Sequence, residues 1–398
     1  MQTNLPANLL STNDGQRAND ILRKCVRCGF CNATCPTFDI TGNELDGPRG
    51  RIYLIKEMLE TNSAGISTAT HLNRCLTCLN CESTCPSGVK FGELVEIGRG
   101  YLDELIPSNL WQDIKRWSVC NLFAYPKRFR PLYFLAQLTG FAPVSTESHL
   151  YQPEAPNIKS NVKVILLEGC VQSVTNPEIN RVLQKHLADL NIQSITEKHV
   201  QCCGAIHHHN GMAKKGLEIM KNNIDLWWPH IETGVSAIVM TASGCGTTVK
   251  DYGRLLKNDA KYSDKAKKIS EITQDASEFL AKYKFTKIEN THSRIAFHPP
   301  CTLQHGQKIT GVVENILTEA GYEVVDFKDK HLCCGSAGTY SVLQPELANQ
   351  LRSNKIQKIE INKPDIIATA NIGCLLHLKQ GTQTTVLHWL ELVKAYYP

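Results

Sequence analysis

No stretch of this 398-residue sequence approaches the ~20 consecutive apolar residues that a membrane helix requires. The run V-K-V-I-L-L-E-G-C stops far short of that length. The first residues, M-Q-T-N-L-P-A-N-L-L, lack the basic region and long apolar core of a secretory signal. The excess of positive charge is small: a net +5 is too little to argue for nucleic-acid binding, and no nucleic-acid motif accompanies it. No G-x-G-x-x-G follows a predicted strand, which excludes a dinucleotide or flavin fingerprint of that type. A P-loop and a Ser/His/Asp arrangement are missing as well. What remains is an ordinary globular composition, 42% hydrophobic and 20% charged, with a mean hydropathy of −0.23 and room for two or three domains. One residue type is over-supplied. Seventeen cysteines in a chain without an export signal point to metal or redox work rather than disulfides.

Eight of them fall in two matching runs. Cys25, Cys28, Cys31 and Cys35 precede Pro36, and Cys75, Cys78, Cys81 and Cys85 precede Pro86. Each run reads C-x2-C-x2-C-x3-C-P, the spacing of bacterial ferredoxins. Three thiolates two residues apart wrap three corners of an iron–sulfur cube, and the fourth, before proline, reaches the other cube. The expected assignment is therefore crossed. Cys25, Cys28, Cys31 and Cys85 would hold one [4Fe–4S] cluster, and Cys35, Cys75, Cys78 and Cys81 the other. Zinc also takes C-x2-C pairs, but structural zinc sites use two pairs rather than this rhythm.

Residues 1–20 read as a loose polar lead-in, with Ile21–Lys24 a short helical approach to Cys25. Between the runs, Asp46 or Gly47 can cap a helix that starts at Pro48 and presents Ile52, Ile55, Met58 and Leu59 on one face. On that helix Arg49 and Arg51 either favour reduced clusters or lie on a solvated face. From Trp111 to Phe141 aromatics alternate with Lys115, Arg116, Lys127, Arg128 and Arg130, against one acid, Asp113. Such a stretch suits a membrane surface, a domain contact or a partner subunit; Pro126 and Pro131 should break a continuous amphipathic helix, which favours protein contact. Cys120 there reads as a buried structural thiol. Pro143 to Asn161 reads as a linker.

The second half is a duplication. Copy one has Cys170 after a strand, Cys202-Cys203-Gly204, and Cys245; copy two has Cys301, Cys333-Cys334-Gly335 and Cys374. Cys170 to Cys202 and Cys301 to Cys333 both span 32 residues, and both copies close on T-A-x-(x)-G-C. The alternation β-α-β-α-β implies a parallel sheet built twice. Expected strands include Gln193–Lys198 and A-I-V-M-T-A-S-G-C, ending at Cys245, in copy one and Y-E-V-V-D-F in copy two. Strand C-termini share one edge of such a sheet, so Cys170, Cys202, Cys203 and Cys245 should converge, as should Cys301, Cys333, Cys334 and Cys374. Iron–sulfur, zinc and redox-thiol readings stay open there. Gly204 and Gly335 would let the backbone turn beside each site. His207–His209 read as a polar loop that can also add ligands or shuttle protons, and His298, His305 and His377 as proton-transfer candidates near copy two.

The domains expected are 1–110, a mostly helical two-cluster ferredoxin-type unit; 111–161, an aromatic and basic connector; and two α/β C-C-G repeats at 162–285 and 290–398. The class is α+β multidomain. With both halves in view, the chain resembles the iron–sulfur subunit family of bacterial glycolate oxidases. The resemblance rests on the paired runs, on E-L-D-G-P-R-G-R-I-Y-L-I-K at Glu44–Lys56, on T-A-S-G-C-G at Thr241–Gly246 and on H-L-C-C-G-S-A-G-T-Y at His331–Tyr340. It implies a subunit of a glycolate dehydrogenase that relays electrons from flavin subunits, which carry the FAD, towards respiratory quinone on the cytoplasmic face of the inner membrane. It also implies that hydride chemistry belongs to those partners, since one-electron clusters cannot replace a flavin. The C-C-G half is similar to heterodisulfide reductase subunits and to glycerol-3-phosphate and lactate oxidation systems, where the motif commonly closes with C-x-x-C. Here Thr248 and His377 stand where the last thiolate would be. Rival readings are a D-lactate or glycerol-phosphate system, a disulfide or quinone reductase acting at the C-C-G sites, and a zinc scaffold.

Overall fold

The computed structural model describes residues 1–106, 110–139, 160–200, 202–288 and 293–396. Phe141 and all but the last two residues of the Pro143–Asn161 linker lie outside them. The N-terminal part is helical. The supposed loose lead-in is in fact structured: helices run over Ala7–Leu10 and Asn13–Lys24, the second capped by Thr12, whose hydroxyl accepts from the Gly15 N–H. Its mean polarity hides an apolar face of Ala18, Ile21 and Leu22, buried against Ile52, Ile55 and Met58 of the helix Pro48–Thr61. Gly47, not Asp46, caps that helix, and Pro48 occupies its first turn. A further helix, Phe91–Leu105, closes the same core with Phe91, Leu94 and Val95.

The connector forms two helices, Leu110–Phe123 and Pro126–Leu138. Pro126 separates them by opening the second, but Pro131 sits inside it and does not end it. Cys120 is fully buried and donates to the Ile206 carbonyl at 3.6 Å. Trp111, Trp117, Phe134 and Leu138 are exposed beside Lys115, Lys127 and Arg130.

Among the described residues the duplicated half contains ten strands: β1 (Lys163–Leu167), β2 (Gln193–Thr196), β3 (Ala237–Met240), β4 (Thr273–Asp275), β5 (Lys284–Phe285), β6 (Arg294–His298), β7 (Glu323–Val324), β8 (Ile366–Thr369), β9 (Thr385–His388) and β10 (Ala395–Tyr396). Two parallel four-stranded sheets result, in the orders β2-β1-β3-β4 and β7-β6-β8-β9, so the copies share one topology. β5 and β10 form a small antiparallel ribbon. Each copy has one strand more than the β-α-β-α-β pattern implies. β4 reads T-Q-D, too short and polar to announce a strand; pairing with β3 makes it one. Conversely, only Glu323–Val324 of Y-E-V-V-D-F pairs. Helices Glu178–Asp189, Ala213–Glu232, Val312–Glu319 and Pro345–Glu360 cover the sheets.

The copies share a single apolar core that joins Val164, Leu166 and Leu183 to Ile295, Phe297 and Ile367. Backbone and side-chain bonds seal the seam: the Ser243 N–H donates to the Ala370 carbonyl at 3.2 Å, and His388 Nε2 meets the Thr241 carbonyl at 3.0 Å.

Candidate metal and redox sites

In the ferredoxin-type half, each run curls through left-handed backbone at matching places. Arg27 and Gly29 have φ of 62° and 85°, and Thr77 and Leu79 have 52° and 62°. These turns fold each run back on itself and bring its thiols to one side. Cys25, Cys28, Cys31 and Cys85 line one concavity. Cys35, Cys75, Cys78 and Cys81 line a second. Pro48, Cys81 and Phe91 border both. Cys85 of the second run thus lies with Cys25, Cys28 and Cys31, Cys35 of the first run lies with Cys75 and Cys78, and Cys81 lines both concavities. Cys28 and its neighbours Val26 and Phe30 are exposed, whereas Cys35 and Cys81 are buried.

The chemistry of the donors suits a soft metal centre. Burial pushes the Cys31 thiol up to about 11, helped by Cys25, Cys28 and Cys85, and raises Cys78 and Cys81 well above the usual range. Four clustered thiols ionise together only when a cation compensates them, and all-sulfur donors select iron–sulfur clusters or zinc.

The two arginines that the sequence left between cluster and solvent, Arg49 and Arg51, part company. Arg51 is not on a solvated face: it is buried, its Nη1 is 3.9 Å from Cys35 Sγ and 3.1 Å from Thr37 Oγ1, and its Nε donates to the His71 carbonyl at 2.8 Å. Asp46, also buried, accepts from Arg74 Nη1 at 3.1 Å and lies 2.8 Å from His71 Nδ1 and 3.5 Å from Arg51 Nη2. Arg49 instead pairs with Glu44 at 2.6 Å on the surface. Arg99 clamps the second run, with its Nη2 donating to the Leu72 and Cys75 carbonyls at 2.8 and 2.7 Å.

Both C-C-G sites assemble at the sheet edge. In copy one, Cys202 contacts Cys170 and Cys203, and Cys203 also contacts Cys245. Hydrogen bonds from Cys202 and Cys245 hold the Cys203 thiol well below its usual range, while the bond with Cys170 pushes Cys202 up and the bond with Cys203 pushes Cys245 up. In copy two, Cys301 Sγ lies 3.9 Å from Cys333 Sγ, and Cys334 touches both Cys333 and Cys374. Cys245 and Cys374 sit in the first turns of the helices Ser243–Lys250 and Ile372–Lys379, slightly beyond the strand ends. Gly204 and Gly335 both take a φ of 93°, and a Cβ there would meet the Gly216 carbonyl oxygen at 2.9 Å and that of Ala348 at 2.5 Å. Tyr252 donates to the Cys203 carbonyl at 2.7 Å and Asn223 to that of Cys202 at 2.8 Å, clamping the first motif. Lys355, seven residues past Ala348 as Asn223 is past Gly216, replaces that asparagine in copy two. It is buried near Cys333 and Cys334, and burial pulls its ammonium down to about 8.

The histidines divide. His207–His209 form a helical turn, Ala205–His209, not a polar loop. His207 is buried, and the Nδ1 atoms of His208 and His209 lie 4.0 and 3.5 Å from Glu96 Oε1. Arg254 already occupies Glu96 at 3.1 Å, which makes that cluster an ion-pair network. His305 bridges the Ser83 hydroxyl at 3.1 Å and the His331 carbonyl at 2.9 Å, and His377 Nε2 bonds the Ala348 carbonyl at 3.1 Å. Each of these rings is thus held to a backbone carbonyl. His298 alone of the three joins a group of possible ligands, with Cys334 and Cys374, among the described residues.

The two halves meet at these sites. Leu76 and Cys78 of the second run pack with Cys301, Cys333 and Tyr340 of copy two. Asn80 Nδ2 donates to the His331 carbonyl at 3.1 Å, and the Tyr340 hydroxyl to that of Arg74 at 3.1 Å.

Comparison with known proteins agrees with this layout. A 4Fe-4S dicluster domain model matches residues 21–89, and a cysteine-rich domain model matches 164–250 and 295–379. The chain is 45% identical over 402 residues to the glycolate oxidase iron-sulfur subunit of Escherichia coli (strain K12), covering 99% of this chain and 98% of that one. It is 28% identical to the probable glycolate oxidase iron-sulfur subunit of Bacillus subtilis (strain 168), over 91% and 89%. Lactate utilization protein A of Anoxybacillus flavithermus is 26% identical and matches 58% of this chain over 99% of its own length. A solved structure, a hypothetical protein from Helicobacter pylori, shares the fold with a TM-score of 0.59 at 9% identity, covering 96% of this chain and 72% of that one. Paired cysteine runs, twin C-C-G sheets and end-to-end identity lead to one conclusion: the chain belongs to the family of glycolate oxidase iron–sulfur subunits.

Proposed function

We propose that this chain is the electron-transfer subunit of a flavin-dependent 2-hydroxy-acid oxidase, with glycolate as the hydroxy acid and FAD held by partner subunits. Two [4Fe–4S] clusters, one on Cys25, Cys28, Cys31 and Cys85 and one on Cys35, Cys75, Cys78 and Cys81, would each take up and release one electron at a time. The observation that carries the reading is the placement of thiol sets in series: Cys28 at the surface, Cys81 on the wall between the two concavities, and Cys78 against Cys301 and Cys333. The exposed Val26 and Phe30 beside Cys28 make that end the entry face for a flavoprotein. Cys35, Cys75 and Cys81 of the second set are buried, which holds solvent away from the inner part of the path. The four thiols of each C-C-G site supply a further metal or redox centre, and copy two stands at the inner end of the series.

Delivery to quinone on the cytoplasmic side of the inner membrane follows from the same reading. Among the described residues no helix is long and apolar enough to cross a membrane. The exposed aromatics of the connector, broken into two helices at Pro126, favour contact with a partner subunit. Co-purification is the decisive experiment: a flavoprotein should remain bound, and glycolate should then bleach the cluster absorbance of this chain. Bleaching by D-lactate but not glycolate would move the assignment to the lactate systems, in line with the likeness to lactate utilization protein A. Purification without any flavoprotein would refute the relay.

A further inference from the structure

The two C-C-G copies share topology and thiols but differ at one fully enclosed position. β1 ends at Leu167 and β6 at His298, each three residues before the first cysteine of its site. Both strands are buried from their second residue on, and the position suits a hydrophobe, as copy one shows. Copy two spends it on an imidazole that is 1% exposed. Neither ring nitrogen of His298 has a hydrogen-bond partner among the described residues. Native interiors rarely leave one buried polar atom unpaired, still less both nitrogens of one ring. The ring is not adrift, however. A ring nitrogen of His298 and the sulfurs of Cys334 and Cys374 all lie within 4.8 Å of one another, and all three residues are buried. Nitrogen and sulfur bound to one tetrahedral metal stand roughly 3.5–3.8 Å apart, given metal–ligand bonds of ~2.0–2.3 Å, so closing the set needs movements of about an ångström or less. His305 and His377, by contrast, are both held by backbone carbonyls.

We propose that His298 is a metal ligand of the second C-C-G site, which it makes a mixed nitrogen–sulfur centre, while the first site is held by sulfur alone. The inference rests on reading the C-C-G thiols as a metal centre. In this site the imidazole supplies the donor that a C-x-x-C closure would have given and that His377, turned to the Ala348 carbonyl, does not. A neutral nitrogen donor leaves the second site less negative than a further thiolate would. Replacing thiolate by imidazole raises the potential of iron–sulfur centres. The second site is also the one packed against Cys78, so the extra ligand makes it the more oxidising neighbour of the inner ferredoxin cluster.

The test uses the full chain, purified anaerobically with its metal. Iron and zinc are counted, and pulsed electron paramagnetic resonance of the reduced protein, or zinc-edge absorption if zinc is found, looks for a directly bound nitrogen. The variants are His298→Leu, the residue of copy one, and His298→Cys. The expected wild-type result is metal beyond the eight irons of the ferredoxin half, with an imidazole nitrogen bound to part of it. His298→Leu, which gives the second site the all-sulfur set of the first, should lose all of the nitrogen signal while keeping the extra metal, and His298→Cys should likewise keep the metal without the nitrogen. Extra metal with no bound nitrogen in the wild type overturns the ligand role while leaving the C-C-G centres intact. No extra metal at all overturns the underlying reading instead. If His298→Leu keeps the nitrogen signal, His298 is a core residue.

Discussion

Arg51 Nη1 lies 3.9 Å from the sulfur of Cys35, with both residues buried and Asp46 completing the pocket behind the guanidinium. A fixed positive charge against one thiol of the inner set should favour the more reduced, more negative state of whatever that set binds. Arg51→Met should lower the reduction potential of the inner cluster while leaving the outer one unchanged. It should also cost roughly 3 kcal/mol of stability, because Asp46 loses a buried partner. Redox titration by electron paramagnetic resonance and urea unfolding read the two effects separately; two unaltered potentials would reduce Arg51 to a helix anchor.

Crossed ligation is checked by which mutants behave alike. Cys85→Ser and Cys28→Ser should damage the same spectroscopic centre, since both residues line the outer concavity. Cys35→Ser should damage the other, together with Cys78→Ser. If Cys85→Ser instead tracked with Cys78→Ser, the runs would be independent sites.

Purified away from flavoprotein partners, the chain should show no glycolate dehydrogenation with any artificial acceptor, because one-electron centres cannot accept a hydride. Turnover by the isolated chain, assayed as glyoxylate formed, would contradict this.

The C-C-G thiols separate packing from chemistry. As mere core, Cys203→Ala with Cys334→Ala should cost about 1 kcal/mol or less each and leave electron flow intact. As ligands, the pair should strip iron or zinc beyond eight irons, or abolish transfer to quinone with both ferredoxin clusters present. Metal analysis beside a quinone-reduction assay decides between them.

Burial holds the His388 imidazole down to about 4, where it accepts from the Leu390 N–H and meets the Thr241 carbonyl across the seam between copies. An unfolded histidine titrates near 6.5, so between those values the unfolded chain binds a proton that the folded chain refuses. Stability is therefore full above about pH 6.5 and falls as the pH drops towards 4, by about 3 kcal/mol from this residue. Urea midpoints at pH 7 and pH 5 should show the loss, and His388→Gln should flatten it in part. Since burial also lowers His186 and His377, some slope should persist.

Much of this protein is written locally. The 2-2-3 cysteine rhythm, the proline after each fourth cysteine and the equal C-C-G spacings announce which thiols come together in the two concavities and at the two sheet edges, because short turns leave little freedom in spacing. Gly204 and Gly335 were legible for the same reason: a positive φ beside an encroaching carbonyl admits little else. Other features came only with the tertiary structure. Arg51 and Arg49, two residues apart on one helix, look equivalent in sequence, yet packing buries the first against Cys35 and leaves the second at the surface. β4, with its polar T-Q-D, exists because β3 offers it an edge. Whether a histidine near a cysteine faces thiols or a carbonyl depends on backbone far away in the chain, which is why His298 could not be told from His305 and His377. The order of the sites was likewise invisible, since the approach of Cys78 to Cys301 joins residues more than two hundred positions apart. Local spacing determines which atoms can bind; long-range packing determines which of them meet.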